Sequence, residues 1–271
     1  MKASSESELL KIAKQDCYCD SKRNSLLTSS DNQNYNQNVE NLVKNIEDYP
    51  HAFILACLMD RGYDYKKVWS IPYEISTIVG SFDIKELNKL TLKEYENIFN
   101  GSSTSGEKLH RYPSKMAKCF KSAVDMICTD STIDGNAANL WNDKPQSIVF
   151  IQRMLQFKGC GFKIANMTAN LLYRYFGIEF EDYKNFDIAP DVHTVRVFRR
   201  LGLTNDFGEN EEAAKIYTII KAREINPDFP GILDSVVWET GNEYCSKNNP
   251  NCKKCRFNTF CDYYKNNKGL L

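Results

Sequence analysis

Four of the chain's ten cysteines fall within seventeen residues near the C-terminus: Cys245, Cys252, Cys255 and Cys261, in the pattern C-x6-C-x2-C-x5-C. Four thiolates this close can surround a tetrahedral metal ion or cap the corners of an iron–sulfur cluster, and either centre folds the loop around itself. Spacing alone does not separate the two. The N-terminal stretch MKASSESELLKIAKQD has no apolar core of the kind a secretory leader carries, so a cytoplasmic location is expected. There, cysteines serve as ligands, catalysts or buried thiols rather than as disulfides. The other six are scattered, and Cys17-Tyr18-Cys19 is too short a pair to bind metal alone. Lys247, Lys253, Lys254 and Arg256 make the cysteine loop basic, which either offsets the charge of a thiolate-ligated centre or grips phosphate.

The rest of the chain reads as helix. Residues 6–16 suit a short helix, and 27–37, LLTSSDNQNYN, is polar and loop-like. Val39, Leu42, Val43 and Ile46 then recur at helical spacing, and HAFILACLMD after Pro50 is apolar all round, the mark of a buried helix. Further helical stretches are predicted near 65–79, 84–99, 114–128 and 145–157. The fold class is all-α, with no strand pattern, internal repeat or run of about 20 apolar residues that would span a membrane. Lys+Arg and Asp+Glu both number 35, so overall charge does not advertise a polyanionic partner, and any phosphate site must be local.

One internal segment stands out: PQSIVFIQRMLQFKGCGFKIANMTANLLYRYF, residues 145–176. Val149, Met154 and Leu155 suit one face of a helix ending near Phe157. Ile164, Met167, Leu171 and Tyr175 suit a second helix beginning near Lys163. Between them, Gly159 and Gly161 allow a tight reversal and a close backbone approach. Such a reversal beside a helix N-terminus is either a plain turn between packed helices or a cradle for phosphate, with Lys158 at its edge.

Taken together, the hairpin LQFKGCGFKIAN, the later segment APDVHTVRVFRRLGL and the four cysteines resemble, in order, the endonuclease III-like helix–hairpin–helix DNA glycosylases. In that family the hairpin reads like L-P-G-V-G-R-K-T-A, an aspartate follows in V-D-T-H-x-x-R-V, and the cysteines hold a [4Fe–4S] cluster. The match runs from about residue 38 to 265. It implies an N-terminal extension over 1–37, a helix at 38–50 that packs on the cluster domain, a six-helix barrel domain over 51–185 with the helix–hairpin–helix at about 148–176, and a cluster domain over 186–271. The implied partner is double-stranded DNA with a damaged base or an abasic site, bound by a monomer, with nucleoid association if the source is prokaryotic.

On this resemblance Lys163 takes the position of the catalytic lysine and Asp191 that of the catalytic aspartate. An amine that attacks C1′ of the sugar forms a Schiff base, which permits β-elimination at the abasic site. A fixed carboxylate stabilises the positive charge that develops as the base leaves. Asp191 also precedes a helical pattern and suits an N-cap, and Asp187 is its rival; His193 reads as structural. The expected DNA contacts are Lys158, Gly159, Gly161, Arg61, Arg111, Lys115, Lys253 and Lys254.

The chain departs from the family where base flipping leaves a gap to be filled. The family's wedge glutamine, in L-L-S-A-Q-A-T-D, falls on Gly62, which has nothing to insert. Arg61 and Tyr63 are candidates to replace it, and His110 and Arg111 occupy the second wedge loop. Asp60 needs a cation beside DNA, and Arg61 is the expected partner. An oxidised pyrimidine is the favoured substrate. A mismatch or alkylated-base glycosylase of the same fold, a non-catalytic iron–sulfur DNA-binding protein and a zinc-ribbon module are the alternatives, the last leaving the hairpin and the aspartate unexplained.

Overall fold

A computed structural model of the protein describes residues 2–17, 33–102, 106–205, 208 and 210–267. Among them there are only helices, turns and loops. The α-helices are α1 (Lys2–Cys17), α2 (Gln33–Lys44), α3 (Pro50–Met59), α4 (Tyr65–Val79), α5 (Ile84–Lys89), α6 (Leu92–Phe99) and α7 (Pro113–Thr129). They continue as α8 (Ser147–Leu155), α9 (Phe162–Phe176), α10 (Val192–Arg200), α11 (Glu211–Ile225), α12 (Asp234–Glu243) and α13 (Asp262–Asn267). No helix among the described residues is long and apolar enough to cross a membrane.

The chain divides into two units. One comprises Ser25–Pro145 and Val149–Thr168, and the other Met1–Asn24, Gln146–Ile148 and Ala169–Leu271. In the first, α3 is the central strut. All its residues are buried, as an all-apolar helix requires, and it packs on α2, α4 and α7. Pro50 at its first turn costs no hydrogen bond there and fixes the entry of the chain. Phe53, Tyr95, Phe99, Phe120, Phe150 and Phe157 are fully buried, each contributing roughly 1.5–3 kcal/mol by leaving water. Tyr95 satisfies its hydroxyl by donating to the Leu87 carbonyl at 2.8 Å.

Several expectations shift. The stretch 84–99 is two helices, because Thr91 starts a new one with a reciprocal capping box to Glu94. Residues 33–37, expected to be loop, are helical, and the Gln37 amide donates to Asn41 one turn on at 2.8 Å. The remainder of that loop reading, and Cys19, lie outside the described residues. In α8 the core face is Phe150, Ile151 and Met154, while Val149 and Leu155 are turned outward.

In the second unit α10 packs on α11, α12 and α13. The helix expected at 38–50 does not join this unit. Val39 and Val43 of α2 are buried, and α2 packs on α3 and α4 instead. The N-terminal extension takes that place: α1 packs on α11, α12 and the 3-10 turn Pro230–Leu233, burying Leu9, Ala13 and Cys17. Ser5 donates to the Phe260 carbonyl, and Asp16 forms a two-pronged ion pair with Arg256. The boundary expected at residue 185 also moves, since residues 169–185 belong with the second unit.

Candidate active site

In the first unit, α8 ends at Leu155 and the chain reverses through Lys158-Gly159-Cys160-Gly161 into α9. The Cys160 N–H donates to the Phe157 carbonyl at 2.9 Å, which closes the turn. Gly159 has φ +81°, a left-handed conformation that disfavours any side chain. Gly161 has no such need, since a Cβ there would meet open space. Lys158, Gly159 and Gly161 are all exposed, so the reversal is open to a ligand.

Lys163 stands in the first turn of α9, its side chain 32% exposed. Its Nζ lies 3.5 Å from Asp60 Oδ2 and 3.7 Å from Met167 Sδ. Asp60 therefore pairs with Lys163, and not with Arg61 as the sequence suggested. Arg61 instead donates from Nε and Nη2 to the Leu58 carbonyl at 3.2 and 3.0 Å, and its guanidinium lies against Gly159. Two thiols flank this group. Burial pushes the Cys160 thiol up to about 12 and that of Cys57 still higher, so both stay protonated at neutral pH.

The two loops expected to carry the wedge meet in an aromatic cluster, with the Tyr63 ring 5.3 Å and the Tyr112 ring 5.9 Å from His110. His110 cannot insert into DNA: it is fully buried, and its Nδ1 accepts the Tyr112 N–H at 3.0 Å. Burial also lowers its pKa, which keeps the ring neutral. Arg61 is held by the Leu58 carbonyl, and Tyr63 is half-buried. The exposed candidates are Arg111 and Tyr112, the guanidinium 5.4 Å from the ring centroid. Tyr112 escaped the sequence reading, although an aromatic in the second wedge loop was the signal for it. Gly62 adopts φ +56°, a left-handed conformation that favours glycine here. Lys115 is exposed in the first turn of α7.

In the second unit Asp191 caps α10, its Oδ1 accepting the N–H groups of His193 and Thr194 at 2.8 and 2.9 Å. The carboxylate is half-buried and lines a cavity of 540 Å³ with Val195, Arg196, Arg199 and Lys215. Asp187 is differently employed. It is 2% exposed and held in a two-pronged pair by Arg223, with both contacts at 2.8 Å, a fixed structural ion pair. His193 is structural too, its Nδ1 3.0 Å from Arg196 Nη2.

Two arginines one turn apart on α10 hold the start of the cysteine loop. Arg196 donates to the Cys245 carbonyl at 2.5 Å and to Gly241 at 2.9 Å. Arg200 donates to Cys245 Sγ at 3.2 Å and to the carbonyls of Ser246 and Lys247 at 2.8 and 2.9 Å, and lies over the Tyr263 ring. Neither was singled out from sequence, though Arg-Val-Phe-Arg-Arg places cations at i and i+4. Cys245, Cys252 and Cys261 are buried and Cys255 is half-buried. Burial pushes the Cys255 thiol up to about 11 and raises those of Cys252 and Cys261, with the neighbouring cysteines adding to each rise. Thiols in such surroundings ionise when a bound cation supplies the missing charge. Among the described residues no three His, Cys, Asp or Glu side chains gather as one metal ion requires. The donor set, four thiols with an arginine N–H on Cys245 Sγ, is of the kind that holds a tetrahedral metal ion or the corners of an iron–sulfur cluster. Lys253 and Lys254 are exposed between Cys252 and Cys255, whereas Arg256 is committed to Asp16.

No family model matches the chain. In sequence it is similar to endonuclease III of Thermotoga maritima, 26% identical over 117 residues, which are 42% of this chain and 47% of that protein. The match thus spans less than half of that relative's length. In structure it is similar to a trapped endonuclease III–DNA covalent intermediate, an estranged-adenine complex, at a TM-score of 0.56 and 15% identity, covering 86% of this chain and 98% of the other. A non-covalent endonuclease III–DNA complex gives 0.54 and 16% over the same shares. A thermostable thymine-DNA glycosylase gives 0.54 and 14%, covering 98% of this chain and 97% of the other. The chain has the fold of the endonuclease III-like helix–hairpin–helix DNA glycosylases.

Proposed function

We propose that this chain is a base-excision repair glycosylase with AP lyase activity, which takes a damaged base, an oxidised pyrimidine by preference, from duplex DNA. The observation that carries the reading is Lys163: a partly exposed amine in the first turn of the helix that leaves an open glycine reversal, with a carboxylate at 3.5 Å. The hairpin residues Lys158, Gly159 and Gly161, with Lys115 and Arg111, receive the phosphates. Lys163 attacks C1′ of the flipped nucleotide and Asp191 stabilises the charge that develops as the base leaves. Cys245, Cys252, Cys255 and Cys261 hold a [4Fe–4S] cluster, which when bound braces the loop that carries Lys253 and Lys254. The same reading has the protein act as a monomer in the cytoplasm.

The likeness to a thymine-DNA glycosylase, which extends over 98% of the chain, favours a second reading, a mismatch enzyme without lyase chemistry. Duplexes that each carry one lesion, opposite every base in turn, separate the two when base release and borohydride trapping are both measured. Base release with an adduct that Lys163→Gln abolishes supports the first reading. Base release with no adduct supports the second, and neither product on any duplex overturns both.

A further inference from the structure

The carboxylate beside the lysine does not come from the hairpin. Asp60 caps the C-terminal end of α3, and its backbone N–H donates to the Cys57 carbonyl at 3.1 Å. That bond fixes the backbone from which Oδ2 reaches to 3.5 Å of Lys163 Nζ, with the Asp60 side chain only 16% exposed. The neighbouring cation does not compete, because Arg61 turns back onto the Leu58 carbonyl. Met167 Sδ, 3.7 Å from the amine, accepts no proton of consequence. A single contact at 3.5 Å between partly exposed groups adds little to stability, so holding the fold together is a weak account of a carboxylate at this point.

The titratable groups around the pair come from three elements. Cys57 lies on α3, Cys160 in the hairpin, and His110 in the loop before α7, with Arg61 beside them. Burial keeps both thiols protonated and makes His110 a weaker base than usual, with its Nδ1 already engaged. Arg61 has no proton to accept. Among the described residues, the carboxylate base beside Lys163 is therefore Asp60.

We propose that Asp60 is a positioning residue for Lys163, holding Nζ at the mouth of the hairpin and receiving the ammonium proton before the amine attacks. The inference rests on Lys163 being the nucleophile. With an abasic site one proton moves from Nζ to the carboxylate, and the freed lone pair bonds to C1′ of the aldehyde as the C=O π pair moves to oxygen. A second amine proton passes to that oxygen to give a hydroxyl. The carboxyl proton then passes through water to this hydroxyl, which leaves as water, and the iminium that remains is the species a hydride donor reduces.

The test is the rate of cyanoborohydride trapping on an abasic-site duplex, between about pH 6.5 and pH 9, for the wild type, Asp60→Asn and Asp60→Glu. Asp60→Asn is expected to trap at least about tenfold more slowly near neutrality, with the deficit shrinking as hydroxide and buffer replace the lost base. Asp60→Glu, which keeps a carboxylate on a longer arm, is expected to recover part of the neutral rate. If Asp60→Asn does not fold by circular dichroism, Asp60→Ser is held to the same profile. A variant that traps like the wild type at every pH overturns the proposal. So does an equal deficit at every pH that Asp60→Glu fails to relieve. If the wild type itself forms no adduct at any pH, the failure lies in the nucleophile assignment, and the role of Asp60 falls with it.

Discussion

The Arg61 guanidinium lies against the bare Cα of Gly159, where a Cβ would come within 2.5 Å of Nη1. The glycine is thus fixed twice, by its φ of +81° and by the side chain laid across it. Gly159→Ala is expected to cost roughly 1 kcal/mol in backbone strain, displace Arg61, and weaken binding to duplexes of any sequence. Gly161→Ala, which meets open space without positive φ, should stay within about 0.5 kcal/mol of wild type. Melting temperatures and dissociation constants on undamaged duplex decide this, and equal effects of the two substitutions would count against it.

Asp191 has a cap to keep as well as a proposed charge to supply, and substitutions separate the two. Asn is as good an N-cap as Asp, so Asp191→Asn should hold stability to within about 0.5 kcal/mol, while base release falls on the order of 10²–10⁴-fold. Asp191→Ala should lose the capping bonds to His193 and Thr194 as well, at a cost of about 1–2 kcal/mol. Undiminished base release by Asp191→Asn would remove the carboxylate from the chemistry.

Arg196→Met is expected to destabilise the second unit by roughly 2 kcal/mol, because it leaves the carbonyls of Cys245 and Gly241 without their donors. If the four cysteines hold a cluster, the wild type should be brown, with iron and acid-labile sulfide in near-equal amounts. Cys252→Ser should then lose both colour and thermal stability. Stoichiometric zinc without sulfide after anaerobic purification would refute the cluster.

Burial lowers the pKa of His51, whose Nε2 lies 2.7 Å from the Phe82 carbonyl, as it does for His110. Below their ordinary value near 6.5 these rings take protons more readily in the unfolded chain, so stability rises with pH through that region. The contribution is complete above the unfolded value and is lost as pH falls towards the depressed folded values. Melting temperature should therefore drop between about pH 7 and pH 5.5, and His51→Gln should flatten the slope. A slope unaffected by that substitution would leave the loss to other groups.

How much of this was legible depended on the range of each interaction. The burial of α3 is written in HAFILACLM itself, and the capping aspartate is written in an Asp set just before a helical run. The reversal could be read from Gly159, although the second glycine suggested a strain that the backbone does not have. The Asp60–Lys163 pair was illegible, because a residue's neighbours in sequence offer no clue to a partner supplied by a different helix; Arg61 looked nearer and was engaged elsewhere. His110 misled for a related reason, since a polar ring in a loop reads as exposed until its aromatic cover is placed around it. Residues 33–37 looked like loop because their composition is polar, and composition says nothing about a helix that starts early.

The N-terminal helix α1 carries a consequence for synthesis. Its Ser5 and Asp16 bond to Phe260 and Arg256, partners 255 and 240 residues further along the chain. Ser5 and Asp16 leave the ribosome long before the segment they grip exists, so α1 must wait, its Leu9 and Ala13 without their final cover, until residues 256–260 have been made. The unit built on α3 faces no such delay, since all of its chain has been made by residue 168. One unit can therefore close on the nascent chain, whereas the other, with the cysteine loop inside it, is completed only when α1 meets the segment that carries Arg256 and Phe260.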